Sequence, residues 1–202
     1  MSFLTNRTRG RIGALGFCVL IVAIVWMLQM AVLSQIRLDE VQCNLVLTFT
    51  IVWGITFGSP LEAPTLDELR LSTLKSVLLR QLLSGSLSAA LLGAVFASLY
   101  SSVLPIYPIA YPIVGWTAGY FCLKKFNRAL IFCIPLVLIF TFLSEMITAF
   151  QLLVLQRPGV IENFVRIVLP EGVLNSLIAP FIFFPMRGWI EFTRLKELEV
   201  SR

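Results

Sequence analysis

The chain has 202 residues, enough for one compact unit and short for two domains. Its apolar share is 58%, its charged share only 13%, and its mean hydropathy is +0.90; a soluble domain is about a quarter charged. An ordinary water-soluble fold of this size has no surface for so many Leu, Ile, Val and Phe, so lipid is expected to be the solvent for much of the chain. The formal charge of +5 comes from sixteen Lys and Arg against eleven Asp and Glu. His is absent, which removes the commonest general base and metal ligand. Cys18, Cys43, Cys122 and Cys133 lie in or beside apolar runs without a CxxC pair. They read as small buried residues, neither a zinc site nor a disulfide framework.

Six apolar stretches approach the roughly 20 residues that a helix needs to cross a bilayer. The first runs from about Ile12 to Ser34 behind the basic start Arg7, Arg9 and Arg11. It is too long for a cleaved signal peptide and lacks a small-residue cleavage site, so it reads as a retained signal anchor. The second runs from about Val41 to Gly58 and is rich in Val, Thr, Ile and Phe. In lipid its backbone groups have no water to bond, which favours a helix over strands. The third runs from about Leu82 to Leu104 and the fourth, shorter, from about Ile106 to Leu123. The fifth, Ala129 to Gln156, measures about 42 Å as a straight helix and must tilt, bend at Pro135 or project. The sixth runs from about Leu169 to Ile190 through Pro170, Pro180 and Pro185, where kinks supported by neighbouring helices are expected. The predicted class is therefore all-α, a single polytopic membrane domain of about six transmembrane helices.

Positive charge orients these spans. With the N-terminus cytoplasmic, the inner segments hold thirteen basic residues: Arg7, Arg9, Arg11, Arg70, Lys75, Arg80, Lys124, Lys125, Arg128, Arg187, Arg194, Lys196 and Arg202. The outer segments hold three, Arg37, Arg157 and Arg166. This positive-inside asymmetry predicts an inner (plasma) membrane protein with both termini cytoplasmic, and it accounts for the basic balance without nucleic acid. In the connection from Ser59 to Gln81, Thr65 and Glu68 have the spacing of a capping box. Leu66, Leu69, Leu74, Val77 and Leu78 then share a face, which predicts an amphipathic helix over about 65–80, an interfacial tether or a docking face for a cytoplasmic partner.

Candidate functional residues are few. Glu145 lies well inside span five, roughly 24 Å from its cytoplasmic end, and charge is costly in hydrocarbon. It reads as a polar contact between helices, as a proton- or substrate-coupling group, or as a wet position. Glu171 and Asn175 stand one turn apart at the outer entry to span six and form a polar stripe that must face protein or water, chiefly as glue between helices. Gly115 and Gly119 form a GxxxG in span four, and Gly93 with Ala97, Ala90 with Ala94, and Ser84 with Ser88 form a small-residue ridge in span three. Such ridges let backbones approach closely, within the chain or against a partner helix. Tyr107, Tyr111, Trp116 and Tyr120 suit an aromatic belt or a pocket. A Gly-rich phosphate loop, an HExxH and a Ser/His/Asp set are all missing; neither an enzyme nor a bound cofactor or metal is expected.

Two stretches carry a family resemblance. Leu91 to Phe121, LLGAVFASLYSSVLPIYPIAYPIVGWTAGYF, and Leu169 to Met186, LPEGVLNSLIAPFIFFPM, resemble the bacterial rod-shape-determining protein MreD family. The first is similar to its Gly-rich span, short turn and following segment, through Ala110, Tyr111, Gly115 and Gly119. The second is similar to its closing span, through Asn175, Ala179 and Pro180. Where family members carry an Asp late in the Gly-rich span, Ala97 or Ser98 stands here, and the connection from Ser59 to Gln81 is longer. The resemblance implies a non-enzymatic membrane component of the elongation complex. It would bind the single-span protein MreC and link cytoplasmic MreB filaments to peptidoglycan synthesis by the RodA-type polymerase and its transpeptidase. The family also resembles in fold the substrate-capturing subunits of energy-coupling-factor (ECF) vitamin transporters, which makes such a subunit the alternative. That alternative needs an enclosed pocket, for which Tyr107, Tyr111, Trp116, Glu145, Glu171 and Asn175 would have to converge.

Overall fold

A segment without a polar face has to be buried on every side, and Leu45–Phe57 is such a segment. In the structure, a computed structural model that describes residues 19–35, 37–38, 41–57, 86–101, 108–121 and 129–200, it forms a central helix. The described residues contain six helices: α1 (Val19–Gln35), α2 (Leu45–Phe57), α3 (Leu87–Ser101), α4 (Ala110–Ala118), α5 (Ala129–Val154) and α6 (Val160–Val200). A 3-10 turn, Gly119–Phe121, extends α4. The sole extended pairing among the described residues is a ladder of β1 (Arg37–Leu38) with β2 (Val41–Gln42), antiparallel, Arg37 opposite Gln42 and Leu38 opposite Val41. The architecture is all-helical.

Helix α2 packs against α3, α4, α5 and α6. From Leu45 to Thr56 it is buried throughout except at Trp53. Its threonines are satisfied locally: the hydroxyls of Thr48, Thr50 and Thr56 donate to the carbonyls of Asn44, Val46 and Val52 at 2.9, 2.9 and 2.6 Å. Back-bonding of this kind lets β-branched polar residues sit in an apolar interior without stranded groups. The second span was expected to be helical from Val41, yet the helix begins at Leu45. Val41 and Gln42 have backbone partners in β1, so nothing forces them into the helix. Asn44 caps the helix instead, its Oδ1 accepting the Leu47 N–H at 3.1 Å.

Glycines set the distances between α2, α3 and α4. A Cβ on Gly115 would stand 2.6 Å from the Ala89 carbonyl oxygen and 2.8 Å from Thr50 Cγ2. One on Gly119 would collide with the backbone of Ser86, and one on Gly93 would lie 2.6 Å from the Tyr111 carbonyl oxygen. Gly54 of α2 faces the Gly115 carbonyl in the same manner. Backbones this close gain dispersion contacts that side chains would forbid. At the start of α3, Ser86 Oγ accepts the Ala89 N–H at 3.2 Å, and Ser86 N–H donates to the Trp116 carbonyl at 3.3 Å.

Helices α5 and α6 form an antiparallel hairpin. The chain leaves α5 through Gln156, in the left-handed region at φ 55°, and enters α6 after Gly159 at φ 72°. Arg157 N–H returns to the Leu152 carbonyl and Gln156 N–H to that of Leu153, a Schellman closure that satisfies the last carbonyls of the helix. Helix α5 matches the expected fifth span at its start and ends two residues earlier. Helix α6 begins at Val160, nine residues before the expected Leu169, and continues through Pro170, Pro180 and Pro185. Two stretches, Ile131–Val154 and Val160–Gly188, are long and apolar enough to cross a bilayer; α1, α2, α3 and α4 are shorter. The outer faces carry large apolar side chains, among them Phe150, Ile161, Leu177 and Phe181, the last 79% exposed. The expected amphipathic helix over 65–80, Cys18, Cys122 and Tyr107 lie outside the described residues.

Candidate functional site

Polar groups gather at the end of the bundle where α2 begins. Asn44 stands at its centre. Its backbone N–H donates to Asn175 Oδ1 of α6 at 2.8 Å, and its Nδ2 donates to the Tyr111 hydroxyl of α4 at 2.9 Å. Asn175 Oδ1 also accepts the Cys43 thiol at 3.4 Å, while Asn175 Nδ2 donates to Thr141 Oγ1 of α5 at 3.2 Å. Gln29 of α1 closes the far side, donating to the Cys43 carbonyl at 2.9 Å and accepting the Leu45 N–H at 2.7 Å. Of the N–H groups that a helix start leaves without internal partners, α2 thus has Leu45 and Leu47 satisfied by side chains.

Two carboxyls adjoin this network. Glu171 lies one turn before Asn175 and is only 6% exposed. It faces the side-chain amides of Asn44 and Asn175 and lies near Glu145 of α5; among the described residues no Lys or Arg acts on it. Glu145 is half-buried. The field of Glu171 reaches Cys43, Tyr100 and Tyr111. Tyr100 packs edge-on against Tyr111 at 5.8 Å and against Trp26 at 4.8 Å between ring centroids, which gives the cluster an aromatic wall. On α5, Thr141, Ser144, Glu145 and Thr148 share the face turned to α6, following the helical repeat. Ser144 is fully buried, and its Oγ has no hydrogen-bond partner.

Of the residues that the sequence singled out, Glu145, Glu171 and Asn175 come together here, joined by Tyr111. Gly93, Gly115 and Gly119 lie elsewhere, in contacts among α2, α3 and α4. Ala97 is wholly buried on α3, and Pro180 is half-buried within α6, beside the buried Ala179. These small residues are helix-packing contacts within the chain. Of the two alternatives for Gly115 and Gly119, packing within the chain and packing against a partner helix, their contacts with Ser86, Ala89, Thr50 and Gly54 are of the first kind. Trp116, named for the same pocket, stands apart and donates to the Tyr120 hydroxyl at 2.9 Å. Cys43 and Cys133 are buried free thiols, as expected.

Sequence reasoning missed Gln29, Asn44, Tyr100 and Thr141. A signal existed for Asn44: an amide directly before the apolar run Leu45-Val46-Leu47 has to be capping or bonding something. Chemically, the cluster offers two acidic groups, amides on both sides of them, a free hydroxyl and aromatic rings. No family model, curated protein or solved structure matches the chain.

Proposed function

We propose that the protein is a multi-pass membrane protein of about six crossings, with both termini cytoplasmic, that serves as a non-enzymatic scaffold in the bacterial elongation complex. In this reading it binds an MreC-like single-span protein. It thereby links MreB filaments to peptidoglycan synthesis by a RodA-type polymerase and its transpeptidase. Two helices of spanning length and the apolar outer faces of α5 and α6 support the membrane setting.

The observation that carries the family reading is the meeting of its two motif stretches. Tyr111 from the first and Asn175 from the second both bond Asn44, so the residues that carry the resemblance also hold the bundle together. Since the glycines are used internally, a partner helix has to pack elsewhere. The face of α3 that exposes Leu87, Leu91 and Val95 has the spacing and composition for it. Native mass spectrometry of the tagged protein, gently extracted from its own membranes, tests the reading. A co-purifying single-span protein with a large extracytoplasmic region is the expected result; cytoplasmic ATPase subunits in its place would overturn it.

A second reading, a substrate-binding membrane subunit of an ECF-type vitamin transporter, is favoured by one observation. Tyr111, Glu145, Glu171 and Asn175, four of the six residues that such a pocket was to use, converge in one cluster. In that case Glu145→Gln alters the affinity for a small bound molecule seen in the same spectra.

A further inference from the structure

We infer that the outward seam between α5 and α6 at Glu145 docks a transmembrane helix of a partner protein, one that carries a Lys or Arg at the depth of this carboxyl. The inference rests on the membrane setting proposed above and goes beyond the scaffold reading. It adds a second helix-docking face to that of α3 and names the chemistry of its occupant.

Helix α5 carries one charge, Glu145, in the whole of Ala129–Val154. Only 28% of its most apolar stretch is buried, so most of its surface is left to lipid or to a partner. Ile134, Leu138, Phe142, Glu145 and Ala149 follow one another at steps of three and four and share a face. The first three are 39, 42 and 47% exposed, and Glu145 is half-buried. This face runs along the seam with α6. Ser176 Oγ donates to the Ile134 carbonyl at 3.4 Å, and a Cβ on Gly172 would stand 3.7 Å from Leu138 Cγ. Phe142 meets Phe164 edge-on at 5.7 Å between ring centroids. The α6 side of the seam is small at Gly172 and Ser176, where a third backbone can come close.

Lipid satisfies an apolar face; Glu145 is what sets this one apart. Acyl chains offer a carboxylate no donor, and a charge at this depth is costly unless it is paired. Among the described residues no Lys or Arg acts on Glu145. Its partial exposure puts it within reach of a side chain from outside, unlike Glu171, which is 6% exposed. Lys and Arg meet the need: their long apolar stems lie along Leu138 and Phe142 while the charged head reaches the carboxylate. The Phe142 ring adds a face to which a cation is drawn. Depth sets the register. Glu145 lies nine residues before the end of α5 at Val154, roughly 14 Å along the helix. The partner's basic residue therefore stands about nine residues from the outer end of its own span.

The test places the full-length protein in lipid nanodiscs with synthetic Leu/Ala transmembrane peptides of about 24 residues. The peptides carry Arg, Leu or Glu about nine residues from one end, and association is read by energy transfer between dyes. The Arg peptide is expected to associate about tenfold more tightly than the Leu peptide. Glu145→Gln removes that advantage, and Glu145→Arg transfers it to the Glu peptide. Glu162→Gln, exposed on the first turn of α6, leaves it unchanged. Equal association of the Arg and Leu peptides with the natural protein, a comparison that needs no variant to fold, overturns the inference. So does an Arg advantage that Glu145→Gln retains. If native spectra show a small molecule that Glu145→Gln loses, the carboxyl serves a ligand; the docking inference falls and the transporter reading stands. If carbonate releases the protein from its membranes, the membrane setting falls and the docking site with it.

Discussion

Asn175 on α6 holds the first turn of α2 in place: its Oδ1 accepts the Asn44 N–H at 2.8 Å, across 131 residues of chain. The same amide bonds Thr141 of α5 through Nδ2, so one side chain joins three helices. It is fully buried, and its partners have no water to fall back on.

Asn175→Ala therefore strands the Asn44 N–H and the Thr141 hydroxyl in the interior. Each stranded group costs about 1–3 kcal/mol. The thermal midpoint of the purified protein in a fixed detergent is expected to fall by several degrees. An unchanged midpoint would mean that the bundle does not depend on this amide.

Asn44 combines two jobs that substitutions can separate. Asn44→Ser retains a cap for Leu47 but loses the bond to Tyr111, and Asn44→Ala loses both. Loss of the cap costs about 1 kcal/mol, and a net hydrogen bond about the same. Stability should rank the natural protein first, then Ser, then Ala, with Tyr111→Phe close to Ser. If Tyr111→Phe falls below Asn44→Ala, the hydroxyl has a larger part than the cap.

Glycine substitutions should differ in sign with position. Gly115→Leu and Gly119→Leu force apart helices whose backbones already touch, and overpacking of this kind costs about 1–3 kcal/mol or more. Poor recovery of folded protein, rather than selective loss of a partner, is the expected phenotype. At Gly172, in α6, the nearest atom to an added Cβ is Leu138 Cγ at 3.7 Å, an ordinary contact. Gly172→Ala should raise stability by about 0.5–1 kcal/mol, since Ala restricts the unfolded chain more than Gly does. Melting curves of the three variants side by side decide the matter.

Phe181 discriminates lipid from water as the solvent of α6. It is 79% exposed, so in water Phe181→Asp would be nearly neutral. In the bilayer, an Asp at the helix centre costs about 2.5–3.5 kcal/mol on insertion scales. Membrane-inserted protein, measured by carbonate extraction and blotting, is expected to drop; full retention would place this face against water or protein.

Topology is open to direct assay. A fluorescent reporter that folds only in the cytoplasm, fused after Arg202, should fluoresce, and a phosphatase active only outside, inserted after Gly159, should be active. The α5–α6 turn contains Arg157 as its one basic residue, consistent with an outer position. An inactive phosphatase after Gly159 together with a dark reporter after Arg202 would reverse the orientation of α6.

The sequence by itself determined what depends on composition and on local periodicity. It marked the apolar segments, the start of α5 at Ala129, the small residues of α3 and α4 as surfaces of close approach, and Glu171 with Asn175 as one polar face. These are properties of a single helix, legible from spacing alone. What those faces meet was decided by tertiary structure. The glycine ridge could as well have faced a partner chain; the rotation of α4 against α2 and α3 turns it inward, where Ser86, Ala89 and Gly54 fill it. The early start of α6 at Val160 was likewise not legible, because it depends on long-range packing along the α5–α6 hairpin. What Asn44 meets was not legible either, since its partners Tyr111 and Asn175 lie 67 and 131 residues away. Only folding the chain, with its interior closed to water, makes one short amide the meeting point of three helices, α2, α4 and α6.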